Sequence, residues 1–298
     1  MRITFGSMYR EANLAIQETS EAFAARQREV ASGRRIGRPS DDPSANSFVI
    51  VEQSAVAQTE RYEASGNSAE ARLTVMDSLL DDLLTKLTAA RTAIMSARGV
   101  SSTPSTRNAV ALELAGLRDS VLEDLNTSFQ GTYVFGGAAG TTVPYARTGG
   151  GTVGAYAGST REVESEIDRG RFVAIALDGS AIAQGADAQD VFAVLNDAIV
   201  AVQAGDETGM SAALEGLERA FDRTTATQSR VGADLRSIAD QRLRLSGARL
   251  ASQAEISKLR DANLAEAISG MQQAETAHQA ALGAAGRSLQ LSLWDYLN

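Results

Sequence analysis

The chain has 298 residues, a formal charge of −9 and a pI near 4.8, with no cysteine and a single histidine, His278. Such a charge balance disfavours a phosphate backbone as partner, so no nucleic acid is expected. The missing cysteines exclude disulfides, thiolate catalysis and cysteine metal sites, and one histidine excludes a multi-histidine centre. Aromatic residues make up only 5% against 44% hydrophobic, so a core of small aliphatic side chains in closely packed long helices is expected rather than an enzyme-like globule.

The first residues, "MRITFGSMYREANLAIQ", show no basic segment followed by an apolar run, so no cleavable secretory signal is expected. No stretch approaches the ~18 uninterrupted apolar residues of a membrane span, and no membrane partner is expected. Residues 7–31 read as an amphipathic helix with Met8, Ala12, Ala15, Ala22 and Val30 near one face.

"SGRRIGRPSDDPSANSF" (Ser32–Phe48) follows. Its paired carboxylates, Asp41 and Asp42, could serve acid/base or metal chemistry, but the pattern fits a joint between helices better. Ser32 and Gly33 suit a helix end, with Gly33 in the left-handed position. Arg34 and Arg35 suit the negative end of that helix. Pro39 breaks any continuation. Ser40, Asp41, Asp42 and Pro43 read as the next start, with Asp42 as N-cap and proline in the first turn.

The second helix carries the strongest pattern: Phe48, Val51, Ala55, Tyr62, then Ala69, Leu73, Met76, Leu80, Leu83, Leu87, Ala90, Ile94 and Ala97. From Ala69 the steps alternate four and three, a heptad seam. One helix from Pro43 to Ala97 would be ~80 Å long, the dimension of a rod. Gly99 can close it, Thr103 or Ser105 can cap the next, and a stripe of Val110, Leu114, Leu117, Val121 and Leu125 folds back as an antiparallel partner.

Composition then turns rich in glycine, threonine, tyrosine and valine between Gly131 and Gly185. Short alternating runs such as Arg171–Leu177, bounded by turn pairs such as Asp178-Gly179, read as strands and hairpins. "EVESEID" (Glu162–Asp168) lacks the spacing of a calcium loop and reads as a solvated strand or loop. The glycine clusters match no phosphate loop. Helix returns near Ala188–Ala204 (Val191, Leu195, Ala198, Val202) and from about Gly209 (Leu214, Leu217, Phe221). A second very long helix is expected over 225–286. Its seam runs Leu235, Ile238, Leu245, Ser252, Ile256, Leu259. After a slip of one position it continues Leu264, Ile268, Met271, His278, Leu282. The chain ends in "SLQLSLWDYLN".

The expected fold is therefore mainly α with an inserted α+β domain. Long antiparallel helices from both termini form a coiled-coil rod, since neither can bury its stripe alone. The boundaries are 1–130 and 225–298 for the rod segments and 131–224 for the inserted outer domain. No cofactor and no catalytic residue are called for: His278 has no nucleophile at suitable spacing, and no recognised nucleophile motif is present.

"QREVASGRRIGRPSDDPSAN" resembles the N-terminal signature of the flagellin family. "RPSDDP" is closer to that family's hook–filament junction members than to the filament subunits. "NTSFQGTYVFGGAAGTTVPY" is similar to the family's Gly-x-Tyr-x-Phe-Gly-Gly motif, here Gly131, Tyr133, Phe135, Gly136 and Gly137, with the Pro-aromatic pair after it. The tail resembles the family's apolar C-terminus. The resemblance implies a flagellin-like structural protein of the extracellular bacterial flagellum, without catalysis, joining hook to filament as a homo-oligomeric ring. It implies the first hook-associated protein and flagellin as neighbours. It also implies an export chaperone and passage, uncleaved, through the flagellar type III export apparatus. The assembly and chaperone-binding residues it points to are Ile268, Met271, Leu282, Leu289, Leu291, Leu293, Trp294, Tyr296 and Leu297. The alternative in the same class is a divergent flagellin forming the filament itself. A chemoreceptor-like hairpin is disfavoured by the glycine-rich insertion.

Overall fold

The computed structural model describes residues 5–99, 102–148 and 152–297, with the side chains of 5–8 and 288–297 left outside the description. Seven helices and four short strands follow one another among the described residues. They are α1 (Phe5–Ser32), α2 (Pro43–Ala97), α3 (Pro104–Leu125), β1 (Ser128–Phe129), β2 (Thr132–Tyr133), β3 (Val163–Asp168), β4 (Arg171–Ala176), α4 (Gly179–Ala183), α5 (Val191–Ala204), α6 (Glu207–Arg260) and α7 (Leu264–Leu297). No helix is long and apolar enough to cross a membrane among the described residues. Packing divides the chain into two units, Met1–Thr59 with Ser246–Asn298, and Glu60–Leu245. The boundaries fall inside the continuous helices α2 and α6.

In the first unit α1 packs along α7. The two are antiparallel: the Thr19 hydroxyl meets His278 Nδ1 at 3.1 Å, and Arg26 lies beside Gly270. The side chains turned inward on α1 are Ala12, Ile16, Thr19, Phe23 and Val30, while Ala15 and Ala22 are exposed. Met8, also expected on that face, lies outside the described side chains. On α7 the inward phase is Ala267, Met271, Ala274, His278, Ala281 and Ala285. Leu264, Ile268 and Leu282, expected in the seam, are instead exposed. Alanines make up most of the α7 side of this contact, opposite Ile16, Phe23 and Val30 of α1, while Leu14, Leu264, Ile268 and Leu282 stay outside.

The second unit holds most of the core. All nine seam residues from Ala69 to Ala97 are buried. Upstream, the expected phase is corrected: Phe48 and Val51 are 63% and 62% exposed. The phase turned inward there is Ala45, Val49, Glu52, Val56, Thr59 and Gly66, which joins the Ala69 seam without a break. Glu52, Thr59 and Gly66 interrupt its apolar pattern, so Phe48 and Val51 masked it. Gly66 faces Ile238 of α6, where a Cβ would make an ordinary contact at 3.8 Å.

Helix α3 starts with Thr103 as N-cap, its hydroxyl accepting from Thr106 N at 3.3 Å, and Pro104 in the first turn. It folds back on α2, where Lys86 pairs with Asp124. Its stripe of Val110, Leu114, Val121 and Leu125 is buried. Helix α5 packs on α3 with Val191, Leu195, Ala198 and Val202 buried. It is capped by Asp190 at one end and by left-handed Gly205 at the other.

Two antiparallel hairpins make the sheet content. β3 and β4 join through Arg169-Gly170, with Gly170 at φ 71°. This hairpin is fastened to α2 by the Ser65 hydroxyl donating to Glu166 O at 2.7 Å, and to α6 by Arg230 on Glu162. Asp178-Gly179, expected as a turn pair, instead starts α4: the Asp178 carboxylate accepts from Ser180 N at 2.8 Å as N-cap. β1 and β2 pair across Gln130-Gly131, both with positive φ (51° and 79°), the geometry of a type I′ turn. Gln130 is the sole non-glycine residue with positive φ among the described residues, and asparagine tolerates that conformation better than glutamine. Gln130→Asn is therefore expected to stabilise the unit by about 0.5 kcal/mol, read as a higher urea midpoint with unchanged slope.

The long C-terminal helix differs from expectation at both ends. It begins at Glu207 and runs through position 225 without interruption, then stops at Arg260. Residues 261–263 separate it from α7, where the seam slips by one position. No glycine or proline stops it; non-local pairing does. Arg34 forms an antiparallel bridge with Asp261, and Ala262 N donates to Gly33 O at 2.9 Å. Asn263 then starts α7, its side-chain oxygen accepting from Ala265 N at 3.2 Å.

Candidate functional site

The joint between α1 and α2 is built residue by residue from capping chemistry. Gly33 N donates to Glu29 O at 2.9 Å and takes φ 65°, closing α1. A Cβ on Gly33 would meet nothing within 4 Å, so conformation rather than space asks for glycine. The Ser32 hydroxyl accepts from Arg34 N at 3.3 Å. Arg35 N and Ile36 N both donate to Arg260 O, at 2.7 and 3.3 Å. The Arg35 guanidinium donates to Leu259 O at 2.8 Å, placing a cation on the last carbonyls of α6. Ile36 is buried as the anchor of the loop.

Asp41 turns the chain. Its Oδ2 accepts from Gly37 N at 3.0 Å and Arg38 N at 2.7 Å. Pro39 and Ser40 are exposed at that turn. Asp42 Oδ1 accepts from Ala45 N at 3.0 Å and from the Ser44 hydroxyl at 2.8 Å, and Pro43 is the first helical residue. The Ala45 amide, then the Ser44 hydroxyl, hold the Asp42 carboxyl below its ordinary value of 3.8, with Arg35 adding a weaker field. A depressed folded-state pKa means that the cap contributes stability above the unfolded pKa and loses it as pH falls through the folded one. Asp42→Asn keeps an acceptor without a titration. Its urea stability should therefore lose less than the parent's between about pH 7 and pH 3.

Both aspartates are thus consumed by backbone amides. Among the described residues no group of three or more His, Cys, Asp or Glu could hold a metal ion. Beside the joint lies an open groove of about 640 Å³ between the last turns of α1 and the loop. Five arginines line it: Arg26, Arg28, Arg34, Arg35 and Arg38, against Glu29 and Asp41.

The motif at the start of the strand-bearing segment is a second constructed point. Phe135 is buried, and Tyr133 is half-buried. Gly131 closes the β1–β2 turn. Gly136 packs so tightly that a Cβ would lie 3.2 Å from Ala139 O. Gly137, at φ 56°, donates to Leu177 O at 3.0 Å, and a Cβ there would fall 1.9 Å from Ser159 O. The Pro-aromatic pair supplies Tyr145, buried with its ring 5.3 Å from Tyr156 and 5.0 Å from Phe192. Tyr145 donates to Gly179 O at 3.2 Å, and burial pushes its phenol up. The Tyr156 phenol is pushed up to about 12, first by burial. It donates to Phe135 O at 3.0 Å and accepts from Gly179 N at 3.3 Å. Both rings pin loops.

Sequence reasoning missed Arg72. This half-buried guanidinium donates to the carbonyls of Ile175, Phe129 and Tyr133 and to the Thr132 hydroxyl, tying α2 to β1, β2 and β4. Burial lowers its pKa. Arg72 stands one position before the seam residue Leu73, and its acceptors are distant in sequence, so no local pattern marked it.

Of the C-terminal residues the resemblance singled out, Ile268 and Leu282 are exposed and Met271 is half-buried. Leu289, Leu291, Leu293, Trp294, Tyr296 and Leu297 have backbones within α7, and their side chains lie outside the described residues.

The chain thus combines a helical joint, a glycine-rich strand entrance and an antiparallel pair of terminal helices, and it is similar to several known proteins. The bacterial flagellin N-terminal helical region matches residues 5–139. Over those residues the chain is similar to the flagellin family. It is 25% identical over 317 aligned residues to flagellar hook-associated protein 3 of Escherichia coli, covering 99% of both chains. It is 27% identical over 237 residues to the protein of the same name from Salmonella typhimurium, covering 75% of this chain and 73% of that one. In fold it is similar to a putative flagellar hook-associated protein from Vibrio parahaemolyticus, with a TM-score of 0.69 and 16% identity, over 74% of this chain and 100% of that one.

Proposed function

We propose that this chain is a structural adaptor of the bacterial flagellum that joins the hook to the flagellin filament and has no catalytic role. The observation that carries this is the end-to-end match to a hook-associated protein, 99% of each chain. The fold is consistent with it. On the α1–α7 pair Leu14, Leu264, Ile268 and Leu282 remain exposed, as expected of a surface completed by neighbouring subunits. On this reading the chain forms a homo-oligomeric ring at the extracellular hook–filament junction, with the first hook-associated protein on one side and flagellin on the other. It leaves the cell through the flagellar type III export apparatus without a cleaved signal peptide, and an export chaperone holds the region from Ile268 to Leu297. The segments 1–130 and 225–298 supply the assembly helices, and 131–224 the outward bulk.

The match to the flagellin N-terminal region favours a second reading, a divergent filament subunit. Gold-labelled antibody against this chain separates the two. The adaptor reading expects label at one narrow band where hook meets filament; label along the whole filament overturns it.

A further inference from the structure

The arginine groove at the α1–α2 joint has more positive charge than the joint uses. Arg26 pairs with Glu29 at 2.7 Å, and Arg35 serves Leu259 O. The side chains of Arg28, Arg34 and Arg38 are exposed and, among the described residues, have no ion-pair partner. Capping the helix dipole accounts for one or two cations near a C-terminus; it does not account for five arginines within thirteen residues. Against its two carboxylates the groove keeps three positive charges in excess, in a chain whose formal charge is −9.

The complementary feature lies on α2 and α3. Asp81, Asp82 and Glu123 are exposed, carry no ion pair among the described residues, and flank the Lys86–Asp124 pair. Half-buried Asp77 lies one turn before Asp81. The patch is negative enough to be felt by its neighbour. The Asp124 carboxyl is raised, first by burial and then, against Lys86, by the fields of Asp82 and Glu123.

We propose that the arginine groove of one subunit receives the acidic α2–α3 patch, centred on Asp81 and Asp82, of a second copy of this chain. Three unpaired cations meet three unpaired exposed carboxylates, so each copy presents both halves of a heterologous, head-to-tail contact. That is the contact type from which rings close. Such a contact orients subunits and suppresses wrong neighbours more than it adds affinity, which suits an acidic protein that must add to its own kind. A nucleic acid would satisfy the arginines alone, but the rest of the chain repels it.

The inference rests on the adaptor reading, and one experiment keeps the two failures apart. The native chain has no cysteine, so Arg38→Cys and Asp81→Cys chains can be co-expressed in a strain lacking the native gene. Intact flagella are then treated with a short bismaleimide. Restored filaments in the wild-type control uphold the adaptor reading; failure to lose filaments on deletion sinks that reading alone. With filaments restored, a covalent dimer that requires both variants, about tenfold above either alone, is expected. Absence of the dimer, or crosslinking only to flagellin or to a hook-side protein, overturns the inference. In parallel, Arg34→Glu with Arg38→Glu should cut filament-bearing cells about tenfold, and Asp81→Arg with Asp82→Arg in the same chain should restore them. Normal filaments from the first pair, or no restoration by the second, also overturns it.

Discussion

Gly137→Ala should destabilise the strand-bearing unit by about 4 kcal/mol, enough to unfold a marginal domain. Two independent causes add. The backbone at φ 56° is costly for any L side chain, and the new methyl would sit 1.9 Å from Ser159 O and 2.8 Å from Arg161 O. Both obstacles are backbone atoms, so no rotamer change relieves them. What must move is the loop that carries Ser159, and Ser159 N is itself bonded to Gly136 O at 3.0 Å. Gly131→Ala is the internal comparison. Gly131 also has a positive φ, 79°, but a Cβ there meets nothing within 4 Å, so its cost should stay near ~1 kcal/mol. Urea unfolding followed by circular dichroism checks both. Equal losses at the two positions would show that conformation alone, without the close approach, sets the need for glycine.

Arg72→Leu should cost about 3 kcal/mol, because it leaves half-buried carbonyls of Ile175, Phe129 and Tyr133 without their common donor. Arg72→Lys should recover little, since an ammonium cannot direct donors to three carbonyls and a hydroxyl in a planar fork. By contrast, Arg230→Ala removes a bidentate pair with Glu162 in which the arginine is half exposed, and should cost under ~1 kcal/mol. The same unfolding measurement ranks the three. An Arg72→Lys variant as stable as the parent would mean that charge, and not the donor geometry, holds α2 to the strands.

These two residues also mark the limit of what a sequence shows. Local signals were legible: the heptad steps from Ala69 to Ala97 all point inward, and Gly33, Asp42 and Pro43 stand at helix ends where their chemistry fits. Signals that depend on distant partners were hidden. The acceptors of Arg72 lie 57 to 103 positions away. The break at 261–263 has no glycine or proline; Asn263 caps α7, and Gly33 and Arg34, distant in sequence, pair with 261 and 262. The slip in the seam between Leu259 and Leu264 was its trace in the sequence. In the first part of α2 the inward phase passes through Glu52, Thr59 and Gly66, so exposed Phe48 and Val51 drew the reading to the wrong face. On α7 small alanines take the contact with α1, and exposed Leu264, Ile268 and Leu282 misled in the same way. In a lone globule such outward apolar residues would be a liability. On the adaptor reading they are a surface for a neighbouring subunit to cover. Likewise, Arg34 and Arg35 read as complements to the end of α1, whereas Arg35 donates to Leu259 O at the end of α6.

The most direct measurement is deletion of the gene in its source bacterium, with electron microscopy of the cells and analysis of the culture fluid. The adaptor reading predicts hooks without filaments and unpolymerised flagellin in the medium, both reversed by the wild-type gene. Intact hooks carrying normal filaments would contradict it.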